Sequence, residues 1–259
     1  IILMNNKYFI LYPLIVLSYN VYFKAMIGID DRFLPKELCQ QNVRNIIQSK
    51  LFTNNYLIGL QEAEAIDFII PKNISKKNYI IGRSGKEKMV TIWSDNFKLI
   101  KSYTSDFHEG RPIQISLLRN QDENYLFVNI HAPHDNQNFG NYKGKAQEDN
   151  VLYSNELILI LNYKINQFLK KIDLKIDRII IVGDFNEYQK VNFNNYFEVK
   201  LKDKTFRLYS DLDRLNTCCF FKNFKPTDYI FDSKHVPKTN ISSFIFPASD
   251  HLPIETILY

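Results

Sequence analysis

Arg178-Ile179-Ile180-Ile181-Val182-Gly183-Asp184-Phe185-Asn186 is an unbroken β-branched run that stops at three turn formers. Four β-branched residues in a row suit a strand covered on both faces, and the run is too short for a helix. Gly, Asp and Asn each favour a turn for their own backbone reason. A carboxylate (Asp184) and an amide (Asn186) therefore stand where a buried strand ends. Rigid scaffolds carry their sites on such rims.

Working outward, the same arrangement recurs. Leu14 to Tyr22 reads as a buried strand holding Asn20. Tyr56 to Leu60 reads as a second, with Glu62 just beyond it. Between them Pro35 suits a first helical turn, and Leu38, Val43, Ile46, Ile47 and Leu51 recur near helical spacing. Tyr79–Ile81, Met89–Trp93, Phe97–Tyr103, Pro112–Leu118 and Tyr125–His131 follow as strand-like runs separated by turn residues, which predicts an antiparallel meander. His131 ends the last of them. A surface loop is expected over Phe139–Asp149. A long helix is expected over Asn150–Lys171, where Ile158, Leu161, Ile165, Phe168 and Ile172 mark one face. Later strands are expected at Thr217–Phe221, Thr227–Phe231, Ser243–Phe246 and Ile254–Leu258. They place Asp228 at a strand start and Asp250-His251 just ahead of the last strand. No repeat, low-complexity block or linker interrupts the 259 residues, so one α/β domain over 1–259 is the simplest account.

Composition bounds the partners. Charged residues make up 24% of the chain and hydrophobic ones 45%, ordinary for a globular protein, which argues against disorder. A net charge of +5 leans mildly toward an anionic partner, nucleic acid or phospholipid. Cys39, Cys218 and Cys219 make no disulfide framework and no zinc spacing, which points to a reducing, intracellular setting, cytoplasm or nucleus. Asn73-Ile-Ser75 and Asn240-Ile-Ser242 would be glycosylation acceptors in a secreted chain, so secretion stays open. The apolar run from Tyr8 to Leu17 is too short to span a bilayer and is broken by Pro13; no other segment is a membrane candidate.

The residue types then suggest a reaction. Glu62, Asn20, Asp184 and Asp250 offer hard oxygens, which suit Mg²⁺ or Mn²⁺. His131 and His251, with carboxylates near them, suit acid–base work or contact to a phosphoryl group. No serine–histidine nucleophile motif and no glycine-rich phosphate loop competes. The chemistry expected is metal-assisted hydrolysis of a phosphoester by water. Each residue alone has a plainer reading: Asn20 as a strand-end hydrogen bonder, Glu62 as a helix-start acid, His131 as a core histidine, the rest as caps and turns. Six such residues, each at a strand end, make the joint reading the stronger one.

The strings Ser18-Tyr-Asn-Val21, Leu60-Gln-Glu62, Asn129-Ile-His131, Gly183-Asp-Phe-Asn186, Asp228-Tyr-Ile-Phe231 and Ser249-Asp-His-Leu-Pro253 resemble, in order, those of the endonuclease/exonuclease/phosphatase superfamily with its deoxyribonuclease-I-like fold. The resemblance implies an α/β (α+β) four-layer sandwich: two mostly antiparallel β-sheets flanked by helices. It implies Glu62 as main metal ligand with Asn20 and Asp250 assisting. Asp184 would orient or deprotonate the water, and Asn186 would fix Asp184 or the phosphate. His251 would be base or phosphate contact with Asp228 holding its imidazole, and His131 would bind phosphate or protonate the leaving oxygen. Gly110-Arg111-Pro112 looks like the phosphate-contacting arginine of the deoxyribonuclease branch; a surface arginine at a strand start is the equal alternative.

Departures narrow the branch. Abasic-site enzymes of this superfamily carry Tyr at the place of His131 and an acid at the place of Tyr22. Secreted deoxyribonucleases carry disulfides. The His131 pattern is shared by deoxyribonucleases, deadenylases, sphingomyelinases, tyrosyl-DNA phosphodiesterases and inositol-polyphosphate phosphatases. A monomeric Mg²⁺-dependent phosphodiesterase on nucleic acid is the first expectation, with Lys143 and Lys145 beside its groove. A phosphoinositide phosphatase or sphingomyelinase-type phospholipase is the second. A catalytically silent interaction module is the third.

Overall fold

The structure, a computed structural model, describes residues 13–108, 110–133, 150–170, 172–186, 196–201, 204–211, 215–218, 226–242 and 248–259. The expected loop 139–149, with Lys143 and Lys145, and the expected strand 243–246 lie outside these.

β1 (Leu14–Asn20) and β2 (Tyr56–Gln61) are buried along almost their whole length, as runs without alternation require. They pair in parallel with Asn20 opposite Gln61. A parallel pair needs a crossover. Here it carries α1 (Phe23–Ile27) and α2 (Lys36–Lys50), the second starting directly after Pro35. The buried stripe of α2 is Cys39, Val43, Ile46 and Ile47; Leu38, expected there, is 51% exposed. Beyond β2 come the single turn α3 (Ile66–Ile69) and the hairpin β3 (Tyr79–Ser84) and β4 (Glu87–Trp93).

The expected single meander is divided between two sheets. β3 and β4 finish the first, while β5 (Lys98–His108), β6 (Arg111–Asn120) and β7 (Glu123–His131) form the meander of the second. The turn at Asp95-Asn96 sends the chain across. Trp93 and Phe97 on either side of it sit in the apolar layer between the sheets, so burial of these two rings sets the crossing. α4 (Asn150–Leu169) is the crossover to β8 (Arg178–Asp184), parallel to β7. The second sheet continues with β9 (Tyr196–Leu201), β10 (Lys204–Tyr209) and β11 (Asp228–Asp232). β12 (Thr239–Ile241) and β13 (Ile254–Leu258) return to the first. At the expected strand 217–221, the described part is one bridge, Cys218 to His251.

The orders are β12-β13-β1-β2-β4-β3 and β5-β6-β7-β8-β11-β10-β9. Only β1–β2 and β7–β8 pair in parallel among these described strands. Three apolar layers hold the stack. α1, α2 and α3 cover the outer face of the first sheet through Met26, Val43, Ile47 and Ile69. Val16, Leu57, Trp93, Phe127 and Val182 fill the space between the sheets. α4 covers the second sheet through Leu157, Leu161, Ile165 and Phe168. This is the four-layer α/β sandwich. Each large side chain so buried contributes roughly 1.5–3 kcal/mol.

Cys39 is a buried free thiol, and Cys218 is disulfide-bonded. No helix among the described residues is long and apolar enough to cross a membrane.

The topology places the site. Asn20 and Glu62 stand at the ends of the parallel pair in one sheet, and His131 and Asp184 are register partners at the ends of the parallel pair in the other. Asp228, opening the antiparallel β11, lies opposite Asp184. Gly183 makes this rim possible: its φ is +147°, and a Cβ there would lie 1.9 Å from the Ile130 carbonyl oxygen of the neighbouring strand.

Candidate active site

Asp184 Oδ2 is the meeting point. It accepts a hydrogen bond from Asn20 Nδ2 at 3.0 Å. It lies 3.5 Å from Nε2 of His131 and 3.5 Å from Nε2 of His251. The other carboxylate oxygen accepts the Asn186 N–H at 2.8 Å, which fixes the carboxylate plane. Asn186 is anchored in turn by its side chain, which donates to the Ala132 carbonyl at 2.7 Å. Its φ of 50° is a left-handed conformation that Asn tolerates.

Each histidine has its own carboxylate. Nδ1 of His251 is 2.8 Å from Asp228 Oδ2, which also accepts Thr217 and Thr227 hydroxyls at 2.7 and 3.1 Å. Burial alone pulls the His251 pKa down, but Asp228 and then Asp184 outweigh it and hold it well above the usual histidine value. Nδ1 of His131 is 2.5 Å from Glu87 Oε1. Burial pushes its pKa down to about 4, against an upward pull from Asp184 and with a further push down from Arg111. His131 is thus neutral at pH 7. Its Nδ1–H faces Glu87, so its Nε2 lone pair faces the site.

Glu62 follows β2 at φ 52°, a strained conformation for a non-glycine residue. Its carboxylate accepts Asn20 Nδ2 at 3.4 Å and the Phe23 N–H at 3.2 Å, and lies 3.9 Å from Nε2 of His131. Burial raises its pKa, eased by His131 and worsened by Glu87. Asp250 is set slightly apart: its Oδ1 is 3.9 Å from Nε2 of His251 and is buried without a hydrogen-bond partner. Ser249 ties this loop to β1 by donating to the Asn20 carbonyl at 2.7 Å. Arg111, at the start of β6, has its side chain 21% exposed and turned toward His131 and Glu87. Its Nη1 reaches Glu87 at 3.1 Å and both ring nitrogens of His131 at 3.0 and 3.1 Å.

All nine residues expected from sequence therefore gather on one rim. Glu87 was missed. It lies at the start of a hairpin strand among Lys86 and Lys88, where an acid reads as solvated surface. Burial raises its pKa to about 7, with Arg111 opposing. Glu64 was missed too; burial raises it to about 7, and its Oε1 accepts the Lys88 N–H at 3.1 Å. The Gln61-Glu62-Ala63-Glu64 alternation was the only signal for it.

The donor set fits a hard divalent cation. Glu62 and Glu87 line one cleft with Arg111, Glu62 and Asp184 accept from the same Asn20 amide, and the Asp250 Oδ1 atom is buried without a hydrogen-bond partner. Asp184, Asp228 and His251 also bring ligand atoms within 4.8 Å of one another, but His251 and Asp228 are already engaged with each other through the ring Nδ1.

No protein-family model and no curated protein matches the chain. Solved structures do. Truncated Caenorhabditis elegans TDP2 superposes with a TM-score of 0.60 at 17% identity over 96% of this chain and 98% of that one. An endonuclease/exonuclease/phosphatase family protein from Bacteroides thetaiotaomicron gives 0.61 at 17% identity, covering 95% of both chains. ANGEL2, a 2',3'-cyclic phosphatase in complex with adenosine-2',3'-vanadate, gives 0.61 at 14% identity, also over 95% of each. The chain has the endonuclease/exonuclease/phosphatase fold. In that fold the rim just described is formed by the strand ends of both sheets, and the six strings that suggested it come together there.

Proposed function

We propose that this chain is a divalent-metal-dependent phosphodiesterase that hydrolyses phosphoester bonds in nucleic acid by attack of water. The convergence of Asn20, His131 and His251 on a single Asp184 oxygen carries the reading. One carboxylate between two histidines, each oriented by its own acid, is a machine for moving protons at a phosphate. The likeness to ANGEL2, crystallised with an adenosine vanadate, supports nucleic acid as the substrate class.

Glu62, with Asp250, would hold Mg²⁺ or Mn²⁺; Asn20, expected to assist as a ligand, has its Oδ1 on the Tyr22 N–H and its Nδ2 on Glu62 and Asp184, so it would orient the two carboxylates instead. When bound, the ion supplies positive charge to a non-bridging phosphoryl oxygen. Asp184, fixed by Asn186, orients the water and takes its proton as the new P–O bond forms. His251 enters already protonated, so it serves as the charged phosphate contact and gives its proton to the leaving oxygen as that P–O bond breaks. Asp228 keeps its imidazole in one orientation. Arg111 holds the remaining phosphoryl oxygens, its guanidinium being well shaped for them, and the Nε2 lone pair of His131 accepts from that guanidinium at 3.0 Å and keeps it in place. One domain spanning 1–259, acting as a monomer, suffices for this scheme.

The test is purified protein incubated with single- and double-stranded DNA and RNA in Mg²⁺, Mn²⁺ or EDTA, beside phosphoinositide and sphingomyelin. Metal-dependent cleavage of nucleic acid that Asp184→Ala abolishes is the expected result. Nucleic acid left intact under every metal condition refutes the reading, and phosphate or phosphocholine release from lipid alone would move the activity to membranes.

A further inference from the structure

α1 is amphipathic in an unusual sense. Ala25 and Met26 make its core face, while Phe23 and Ile27, four residues apart and so on one side of the helix, line the cleft beside Glu62. Ile27 is 42% exposed, and Ile29 just beyond it is 68% exposed. The facing wall comes from two hairpin tips, where Gly85 and Gly110 approach so closely that a Cβ on Gly85 would lie 3.4 Å from the Gly110 Cα. Lys86 and Arg111 sit on that wall, and the cleft between measures about 560 Å³. That is within the range of small-ligand sites.

We infer that this cleft seats a nucleobase: the substrate is a phosphoester with a nucleoside next to the phosphate, its ring lying against Phe23 and Ile27. This deepens the phosphodiesterase reading and rests on it. A planar ring suits this wall because one aromatic and one aliphatic side chain, Phe23 and Ile27, give it a flat apolar surface to lie on. It is rigid. The Phe23 N–H is tied to Glu62 at 3.2 Å, Gln40 of α2 donates to the Met26 carbonyl at 2.7 Å, and Gly28 closes the helix at φ 74°. Its position beside Glu62 puts a bound ring next to the phosphate that Arg111 faces. A long duplex track is disfavoured by charge. Among the described residues lining the cleft, Glu62, Glu64 and Glu87 outnumber Lys86 and Arg111, whereas backbone tracking needs a run of cations. Affinity then has to come from the base, as in binding of single-stranded or terminal nucleotides by stacking.

Calorimetric binding of thymidine 5'-monophosphate and of 2-deoxyribose 5-phosphate to the whole chain in Mg²⁺ tests this without turnover. The nucleotide is expected to bind about tenfold or more tightly than the base-less sugar phosphate. Phe23→Ala should close that gap, and Phe23→Tyr, which keeps a ring, should restore it. If Phe23→Ala does not fold, Ile27→Ala at its exposed position should narrow the same ratio. Equal binding of the two ligands by the unaltered protein, or a gap that survives both alanine variants, overturns the proposal. Hydrolysis of matched oligonucleotides with and without the base at the scissile nucleotide separates the two claims. Equal kcat/KM on both removes the shelf and keeps the phosphodiesterase; a base-dependent binding gap with no cleavage removes the phosphodiesterase and keeps the shelf.

Discussion

Glu87 Oε1 lies 2.5 Å from Nδ1 of His131. The contact ties a hairpin of the first sheet to the end of β7 in the second, and it sets the tautomer that turns Nε2 of His131 to the site. Glu87 does this only when ionised, and burial has raised its pKa to about 7. Hydrolysis should therefore fall as pH drops through about 7, where Glu87 takes up a proton. Glu87→Gln should lower kcat about ten- to a hundredfold and flatten that acid limb. A pH–rate profile of both proteins checks it, and an unchanged limb in the variant would sink the assignment.

His251 and Asp228 act as one unit. His251→Ala should cost about 10²–10⁴ in kcat, and Asp228→Asn a comparable amount. Because the acid works only through the imidazole, the double variant should be little worse than His251→Ala alone. Single-turnover rates of the three proteins measure the coupling; simple multiplication of the two losses would show independent roles.

Divalent metal should stabilise the fold as well as support turnover. At a Mg²⁺ concentration of about 100 times Kd the gain is about 2.7 kcal/mol, a rise of several degrees in Tm. Glu62→Gln should lose most of that rise. Melts with and without Mg²⁺, and with EDTA, report it; a full shift in the variant would take Glu62 out of the metal site.

Glu64 is half-buried with a folded pKa of about 7, above the ordinary value of 4.5. The folded protein therefore binds this proton more tightly than the unfolded chain. The group costs stability that grows as pH rises from about 4.5 to 7 and is constant above. Glu64→Gln keeps an acceptor for the Lys88 N–H and removes the charge. In metal-free buffer it should raise stability at pH 8 by about 1 kcal/mol, a figure reduced for solvent screening, and leave it unchanged at pH 4.5. Denaturant melts at the two pH values give the sign.

Gly183→Ala should be among the most damaging single changes. Its Cβ would meet the Ile130 carbonyl at 1.9 Å, inside the β7–β8 ladder that aligns His131 with Asp184. The strands must part, so a loss of about 4 kcal/mol or more is expected, with activity falling alongside. Soluble yield and a urea melt are enough to see it.

Much of the rim was legible because turn formers and metal-competent side chains stop apolar runs at Asn20, Glu62, His131 and Asp184, and periodicity alone locates such stops. The long helix was legible from Leu161, Ile165 and Phe168. β9 and β10 were passed over although Phe197, Val199 and Leu201 alternate with exposed or half-buried neighbours. α1 was hidden because five residues show no period. Glu87 was hidden because burial of an acid is made by what folds over it, and here that is Arg111 and His131 from another sheet.

Local order along the chain set which segments are strands, where they stop and which chemical groups stand at the stops, since side-chain alternation and turn propensity act over a few residues. Which stops meet was decided only in three dimensions. Asn20 and Asp184 are 164 positions apart yet share a hydrogen bond, because two parallel pairs in packed sheets end on the same side. That packing also strips water from the carboxylates, raising Glu62 and Glu87 while two acids hold the proton on His251, and no count of charges along a chain contains that desolvation.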